Sequence, residues 1–196
     1  MFSIKTDLAE ELRTHAMSMR AKEKKGEIDG VLYSERKQGF IKISTIEIVS
    51  ETGERTLGKP MGRYVTVSFP SASALTYADF ITLCDTVSRE LRAFYTGRGH
   101  VLVCGLGNRA LSADALGVLA AENVLVTHHF KSMDGMPLGT MRLGDVSAFT
   151  PGTMAKTGAE SASLIHSVVE RLHPNAVIAI DALAARDTAR LAASIQ

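Results

Sequence analysis

The chain has 196 residues, 45% of them hydrophobic and 22% charged, with 22 Lys and Arg against 21 Asp and Glu. This near-neutral balance excludes a polyanion-binding surface as the dominant feature, so no direct nucleic-acid partner is expected. No run of eighteen apolar residues is present to span a membrane, and Met1-Phe-Ser-Ile-Lys-Thr-Asp7 lacks the apolar stretch of a secretory signal. Cys84 and Cys104 each fall within an apolar pattern and read as buried free thiols in a reducing compartment.

Residues 8–25 read as a polar helix with a basic end at Lys22, Lys24 and Lys25, closed by Gly26 and the Asp29-Gly30 turn signal. Val31-Leu-Tyr33 and Phe40 to Val49 follow as strands. The second changes phase between Thr45 and Ile46, which predicts a bulge. Glu51-Thr-Gly-Glu54 reads as a turn, and Tyr64 to Phe69 as a strand with Val65, Val67 and Phe69 on one face. From about residue 75 the period changes. Phe80, Cys84, Val87, Leu91 and Phe94 recur at helical spacing and predict an amphipathic helix with that stripe inward. Strand 101–104, helix 113–121 and strand 124–126 come next, then a Gly- and Met-rich connection from Gly135 to Gly144. Thr157-Gly-Ala-Glu160 has the spacing of a capping box ahead of a helix carrying Leu164, Ile165, Val168, Val169 and Leu172. Ala176 to Ile180 is a continuous apolar strand, followed by Asp181 and an Ala-rich helix over roughly 184–194. The expected architecture is one α/β domain over 1–196. A β-rich antiparallel subregion occupies 26–70, and an alternating β/α core occupies 75–196, with a mostly parallel sheet covered by helices on both faces.

The stretch Val101 to Gly117 organises the functional reading. A buried strand breaks at Gly105 and Gly107 and feeds a helix, delivering Asp114 with Asn108 and Arg109 beside it. Strand 124–126 leads to His128 and His129, and strand 176–180 ends in Asp181. Parallel strands would gather these groups at one carboxyl edge, where open α/β sheets place their sites. Two neighbouring carboxylates can act as base and acid on one water. Equally, Asp181 can cap the last helix, Asp114 can be a first-turn acid, and at most one of the adjacent histidines faces the site. The Gly105-x-Gly107 pattern lacks the third glycine of a dinucleotide fingerprint, and zinc-ligand spacing, a phosphate loop and a nucleophile elbow are absent from the sequence. No cofactor or metal is expected.

Across nearly its whole length the chain resembles the germination (spore) protease family. The matching pieces are Lys5-Thr-Asp-Leu-Ala9, Gly58-Lys-Pro-Met-Gly-Arg-Tyr-Val-Thr66, Gly105-Leu-Gly-Asn108 with Asp114-Ala-Leu-Gly117, and Val126-Thr-His-His129. Val146-Ser-Ala148, Pro151-Gly152, Met154, Thr157-Gly-x-Glu160 and Ile178 to Arg186 continue the series. The resemblance implies an α/β fold similar to the hydrogenase maturation endopeptidases. It implies an atypical aspartic endopeptidase that degrades small acid-soluble spore proteins during germination, in the cytoplasm of the forespore or the spore core. Asp114 and Asp181 match the implicated aspartates; Asn108, His128 and His129 would support them. It further implies a homo-oligomer and a zymogen that cuts itself between Asp7 and Leu8, releasing residues 1–7. The chain departs from the family pattern at His128, where Arg is usual, at Ser112-Ala113, where Thr-Pro is usual, and at Gly144-Asp145, where Arg-Pro is usual. The family pattern also continues past Gln196 into a Gly-rich segment, so its C-terminal part lies outside this sequence. Two other readings accompany this one: a nickel-dependent endopeptidase using Asp114 and a histidine, and a non-catalytic assembly module.

Overall fold

The structure, a computed structural model, describes residues 6–22, 27–95, 99–132 and 143–196. Lys24, Lys25, most of the expected 135–144 connection and residues 1–5 of the expected propeptide lie outside them. The chain divides into two units. One comprises Met1–Phe94 with Leu183–Gln196, and the other is Tyr95–Ala182.

The first unit is built on an antiparallel sheet ordered β1-β2-β3-β7: β1 (Val31–Gln38), β2 (Ile41–Ile48), β3 (Gly62–Ser68) and the short β7 (Ser194–Ile195). Helix α1 spans Ala9–Lys22, α2 Glu51–Leu57 and α3 Tyr77–Phe94. The phase change in β2 is not a bulge, because its pairing with both neighbours runs without a break. It marks instead a change in which face is apolar. Ile46 and Ile48 pack in one cluster with Ala9, Ile28 and Leu57, while Ile41 and Ile43 pack in another with Val65, Val67 and Leu83. All four isoleucines are at most 2% exposed, and each such burial contributes about 1.5–3 kcal/mol. Odd and even positions of a strand point to opposite faces, so one central strand serves two cores.

Residues 51–57 form a helix where a turn was expected. Ser50 is its N-cap, its Oγ accepting from Gly53 N–H at 3.3 Å, and Gly58 ends it at φ 64° with its N–H on Glu54 O. In α3 the buried residues are Leu83 and Thr86, whereas Phe80, Cys84, Leu91 and Phe94 are exposed. The inward face of α3 is thus rotated from the expected stripe, and Cys84 is not a buried thiol. Cys104 is buried, and burial pushes its thiol pKa up.

The expected helix over 184–194 does not form. Thr188–Arg190 makes a 3₁₀ turn and Ser194–Ile195 a strand. Its backbone donors are taken by other parts of this unit: Ala184 N–H by Asp7 Oδ2, Arg186 N–H and Asp187 N–H by the two Glu11 carboxylate oxygens. A segment whose N–H groups are satisfied externally gains little from helix formation.

The second unit holds a three-stranded sheet ordered β5-β4-β6, with β4 His100–Gly105, β5 Asp145–Phe149 and β6 Ala176–Ile180. Both pairings are parallel, as expected for β4 and β6, while β5 is not among the expected strands. Helix α4 (Leu116–Glu122) lies across all three strands. Helices α5 (Met154–Thr157) and α6 (Ser161–Leu172) complete the unit. Both faces of β4 are buried, but β6 leaves Val177 and Ala179 exposed, so helical cover on both faces does not extend over that strand. Residues 124–126 are not a strand; they link α4 to a 3₁₀ turn at His128–Ser132. The capping box does not form either. Glu160 occupies the N-cap of α6 without a side-chain bond, and Thr157 Oγ1 accepts from Ala159 N–H at 3.3 Å.

Candidate active site

The carboxyl edge of the parallel sheet is assembled from the turn that leaves β4. Leu106 N–H donates to Ile180 O at 2.8 Å, tying the start of this turn to the last residue of β6. Two reverse turns follow, with Leu111 N–H on Asn108 O at 3.0 Å and Asp114 N–H on Leu111 O at 2.9 Å. Asn108 N–H returns to Asp114 O at 3.0 Å, so the loop closes on itself and fixes Asp114 over Gly107. Gly107 sits at φ +106°, and a Cβ there would stand 2.1 Å from Asp114 O and 3.0 Å from its Oδ1. Only glycine admits both that conformation and that approach. At Gly117, on α4, a Cβ would stand 2.1 Å from Ile180 O and 2.5 Å from Leu106 O. The glycines at 107 and 117 are therefore what lets the turn, the helix and the end of β6 share one small volume.

Asp114 is half-buried at this edge. Asp181 is the next residue after β6 and is exposed, with its Oδ1 accepting from Ala182 N–H at 2.8 Å. Asp181 does not cap a helix, because the residues after it form none; Thr188–Arg190 makes only a 3₁₀ turn. Asn108 Oδ1 accepts from Ala110 N–H at 3.1 Å, an Asx turn that directs its amide Nδ2 as the remaining side-chain donor. Arg109, beside it, pairs with Glu122.

The histidines do not join this edge. Thr127 N–H bonds Val146 O at 2.9 Å and Thr127 Oγ1 bonds Gly144 O at 2.5 Å, which holds the following residues at the start of β5. His128 Nδ1 lies 2.7 Å from Asp145 Oδ1, and the ring stacks on His100 with centroids 3.9 Å apart. His129 is exposed, with its ring tilted on Phe130. His100 and Asp145 are the first residues of β4 and β5, so this group occupies the amino edge, roughly 17 Å along β4 from Gly105. The gathering of Asp114, Asp181 and a histidine at one edge is not found, and the reading of Asp114 with a histidine around nickel loses its histidine. The sequence reading passed over His100 and Asp145. Their signal was a titratable residue heading each of two paired apolar strands.

In the first unit, the segment Asp7–Ala9 is held by Ala184 and Gln196. Asp7 N–H donates to Ala184 O at 2.8 Å, Gln196 Nε2 donates to Asp7 O at 3.2 Å, and Ala9 N–H donates to Gln196 Oε1 at 2.7 Å. Leu8 is 3% exposed and Ala9 1%. Glu10, also buried, takes Lys42 Nζ at 2.7 Å and Arg190 Nη1 at 2.6 Å. Burial works against its charge, but the bonds and charges of Lys42 and Arg190 outweigh that, and its pKa is lowered. A cleft of about 350 Å³ beside this clasp, lined by Glu11, His15, Arg186, Asp187 and Arg190 among others, contains neither candidate aspartate.

A parallel sheet and an antiparallel sheet, packed with helices, define an α/β protein, with a glycine turn at the carboxyl edge of the parallel sheet. The chain belongs to the germination protease family, whose model matches residues 8–196. It is 38% identical to a germination protease of Caldanaerobacter subterraneus subsp. tengcongensis, 36% to one of a Geobacillus species and 35% to one of Priestia megaterium. Each match takes in 100% of this chain but 59%, 54% and 54% of those proteins respectively, so the chain spans a little over half the length of the relatives it matches.

Proposed function

We propose that this chain carries the catalytic machinery of an endopeptidase that hydrolyses small acid-soluble spore proteins during germination, with Asp114 and Asp181 as the catalytic pair. The observation supporting this most directly is the tie between Leu106 and Ile180, which brings the turn bearing Asp114 to the end of β6, one residue before Asp181. One aspartate takes a proton from a water as its oxygen bonds to the scissile carbonyl carbon. The other gives a proton to the leaving nitrogen as the C–N bond breaks, so the products are a carboxyl and an amine. Asn108 Nδ2 is the donor suited to the oxyanion that develops between these steps. The exposure of Asp181 suits an extended, poorly folded substrate that brings its own apolar surface to the site.

The same reading includes a fold of the hydrogenase maturation endopeptidase kind, a homo-oligomer in the forespore or spore core, and a zymogen cut between Asp7 and Leu8. Because Leu8 and Ala9 are buried, that cut requires the clasp of Ala184 and Gln196 to open first. The decisive experiment incubates acid-soluble spore protein with the wild-type protein and with Asp181→Asn and follows fragments by mass spectrometry. Cleavage carboxyl-terminal to acidic residues by the wild type, and its loss in the variant, is the expected result. Undiminished cleavage by Asp181→Asn overturns the assignment.

A further inference from the structure

We propose that His100, His128 and Asp145 form a binding site for a divalent transition metal of the zinc class at the amino edge of the parallel sheet. The three residues each offer one ligand atom, and these atoms all lie within 4.8 Å of one another. Two imidazole nitrogens and a carboxylate oxygen are the donor set that zinc, nickel and cobalt accept, with a water completing the shell.

The sheet itself sets the placement. His100 and Asp145 are paired residues of β4 and β5, so their side chains rise side by side on one face, while the anchoring of Thr127 brings His128 over them. His100 is 5% exposed. Its Nε2 lies 2.9 Å from Ser147 Oγ, and its Nδ1 is buried with no hydrogen-bond partner among the described residues. A buried ring nitrogen without a partner is costly in a packed interior, and a metal ion satisfies a nitrogen lone pair where no protein donor does. Ser147 occupies the outer-shell role usual for ligating histidines, bonding the second ring nitrogen and fixing the tautomer.

The two rings stack with centroids 3.9 Å apart and an interplanar angle of 14°, and an ion held by both would take them neutral and supply the positive charge itself. With metal–ligand bonds of about 2.1 Å, tetrahedral ligands stand roughly 3.4 Å apart, so the widest pair, within 4.8 Å, closes by up to about 1.4 Å on binding. The His128 side chain, 34% exposed on a 3₁₀ turn, is the one free to make that movement. This site is independent of the peptidase reading. It lies at the opposite end of β4 from Asp114, and its role is to hold β4, β5 and the His128 turn together.

The test uses the full chain, stripped with chelator, dialysed, and titrated with zinc chloride by calorimetry and with cobalt chloride by visible absorption. One equivalent is expected to bind with a Kd at or below about 1 μM, with cobalt giving the spectrum of a nitrogen- and oxygen-ligated ion and zinc raising Tm. His128→Gln and Asp145→Asn are expected to weaken binding by about a hundredfold or more, and His15→Gln, at an exposed position in the first unit, to leave it unchanged. Circular dichroism establishes that each variant is folded. His128→Gln keeps the test open should Asp145→Asn unfold, because His128 is the less buried of the two. Absence of binding by the folded wild type, or binding that both site variants retain, overturns the proposal.

Discussion

The two edges of the parallel sheet solve opposite problems. At the carboxyl edge, glycines clear space so that backbones approach, Asp114 stands half-buried with its main-chain O accepting from Asn108 N–H, and Asp181 stands exposed with Oδ1 accepting from Ala182 N–H. At the amino edge, polar side chains are drawn inward against one another: a stacked histidine pair, a carboxylate and a serine, with His100 and Thr127 buried. Under the proposed reading, an edge built from a half-buried acid, an exposed acid and main-chain turns suits work on an incoming substrate. An edge whose side chains pack and pair with one another suits cohesion, with His100 Nδ1 left for the proposed metal.

The largest expected effect that would break this contrast is at Asp181. Asp181→Asn and Asp114→Asn should each lower spore-protein cleavage by about 10³-fold. The double variant should be scarcely worse, because the pair acts as a unit. Full additivity in kcat/KM would show two independent roles. Gly117→Ala comes next: the added methyl meets Ile180 O and Leu106 O, so a loss of about 3–4 kcal/mol in urea unfolding is expected.

A change outside both edges provides the control. Glu10→Gln removes the buried partner of Lys42 and Arg190 and should cost about 3 kcal/mol. The lowered pKa of Glu10 fixes the sign of its pH dependence. Its contribution is fully present above the unfolded value of about 4.3 and is lost as pH falls through the folded value. The wild type should therefore lose stability on acidification below about pH 4.3 more steeply than Glu10→Gln, as read from urea midpoints. Asp145→Asn should be milder in metal-free protein, about 1–2 kcal/mol, because His128 keeps a neutral acceptor. The smallest signal is chemical. Iodoacetamide should label exposed Cys84 and spare Cys104 in the wild type, and labelling of Cys104 in Gly117→Ala would show the carboxyl edge has opened.

β4 and β6 were legible in the sequence because each is a short apolar run bounded by glycine or by a polar residue, whereas β5, with Ser147 and Ala148 at its centre, does not read as a strand. The turn from Gly105 to Gly117 declared itself for the same reason: glycines at a strand end have few other uses. What stayed hidden depended on partners far away in the chain. The Ala-rich stretch after Asp181 has every local reason to be helical, yet Asp7 and Glu11, more than 170 residues earlier, take its N–H groups. The α3 stripe misled because Phe80, Leu91 and Phe94 are apolar at the right spacing, and periodicity alone does not say which part of a wide apolar face is buried. His100 escaped notice because a strand was counted from Val101. The helix at 51–57 was legible in principle from Ser50 and Gly58, whose capping roles outweigh a weak turn signal.

The clasp between residues 7–9 and residues 184–196 has a consequence for synthesis. Every residue of the second unit emerges from the ribosome before Leu183, whereas the first unit lacks β7 and the Gln196 contacts until residues 194–196 are made. The inserted unit is thus able to fold while its host is still unfinished, with β3 bearing an unpaired margin at Val67 and Ser68. During that interval Asp7 and Leu8 are not yet fastened. The bond between them passes from accessible to protected once Ala184 and Gln196 close on it.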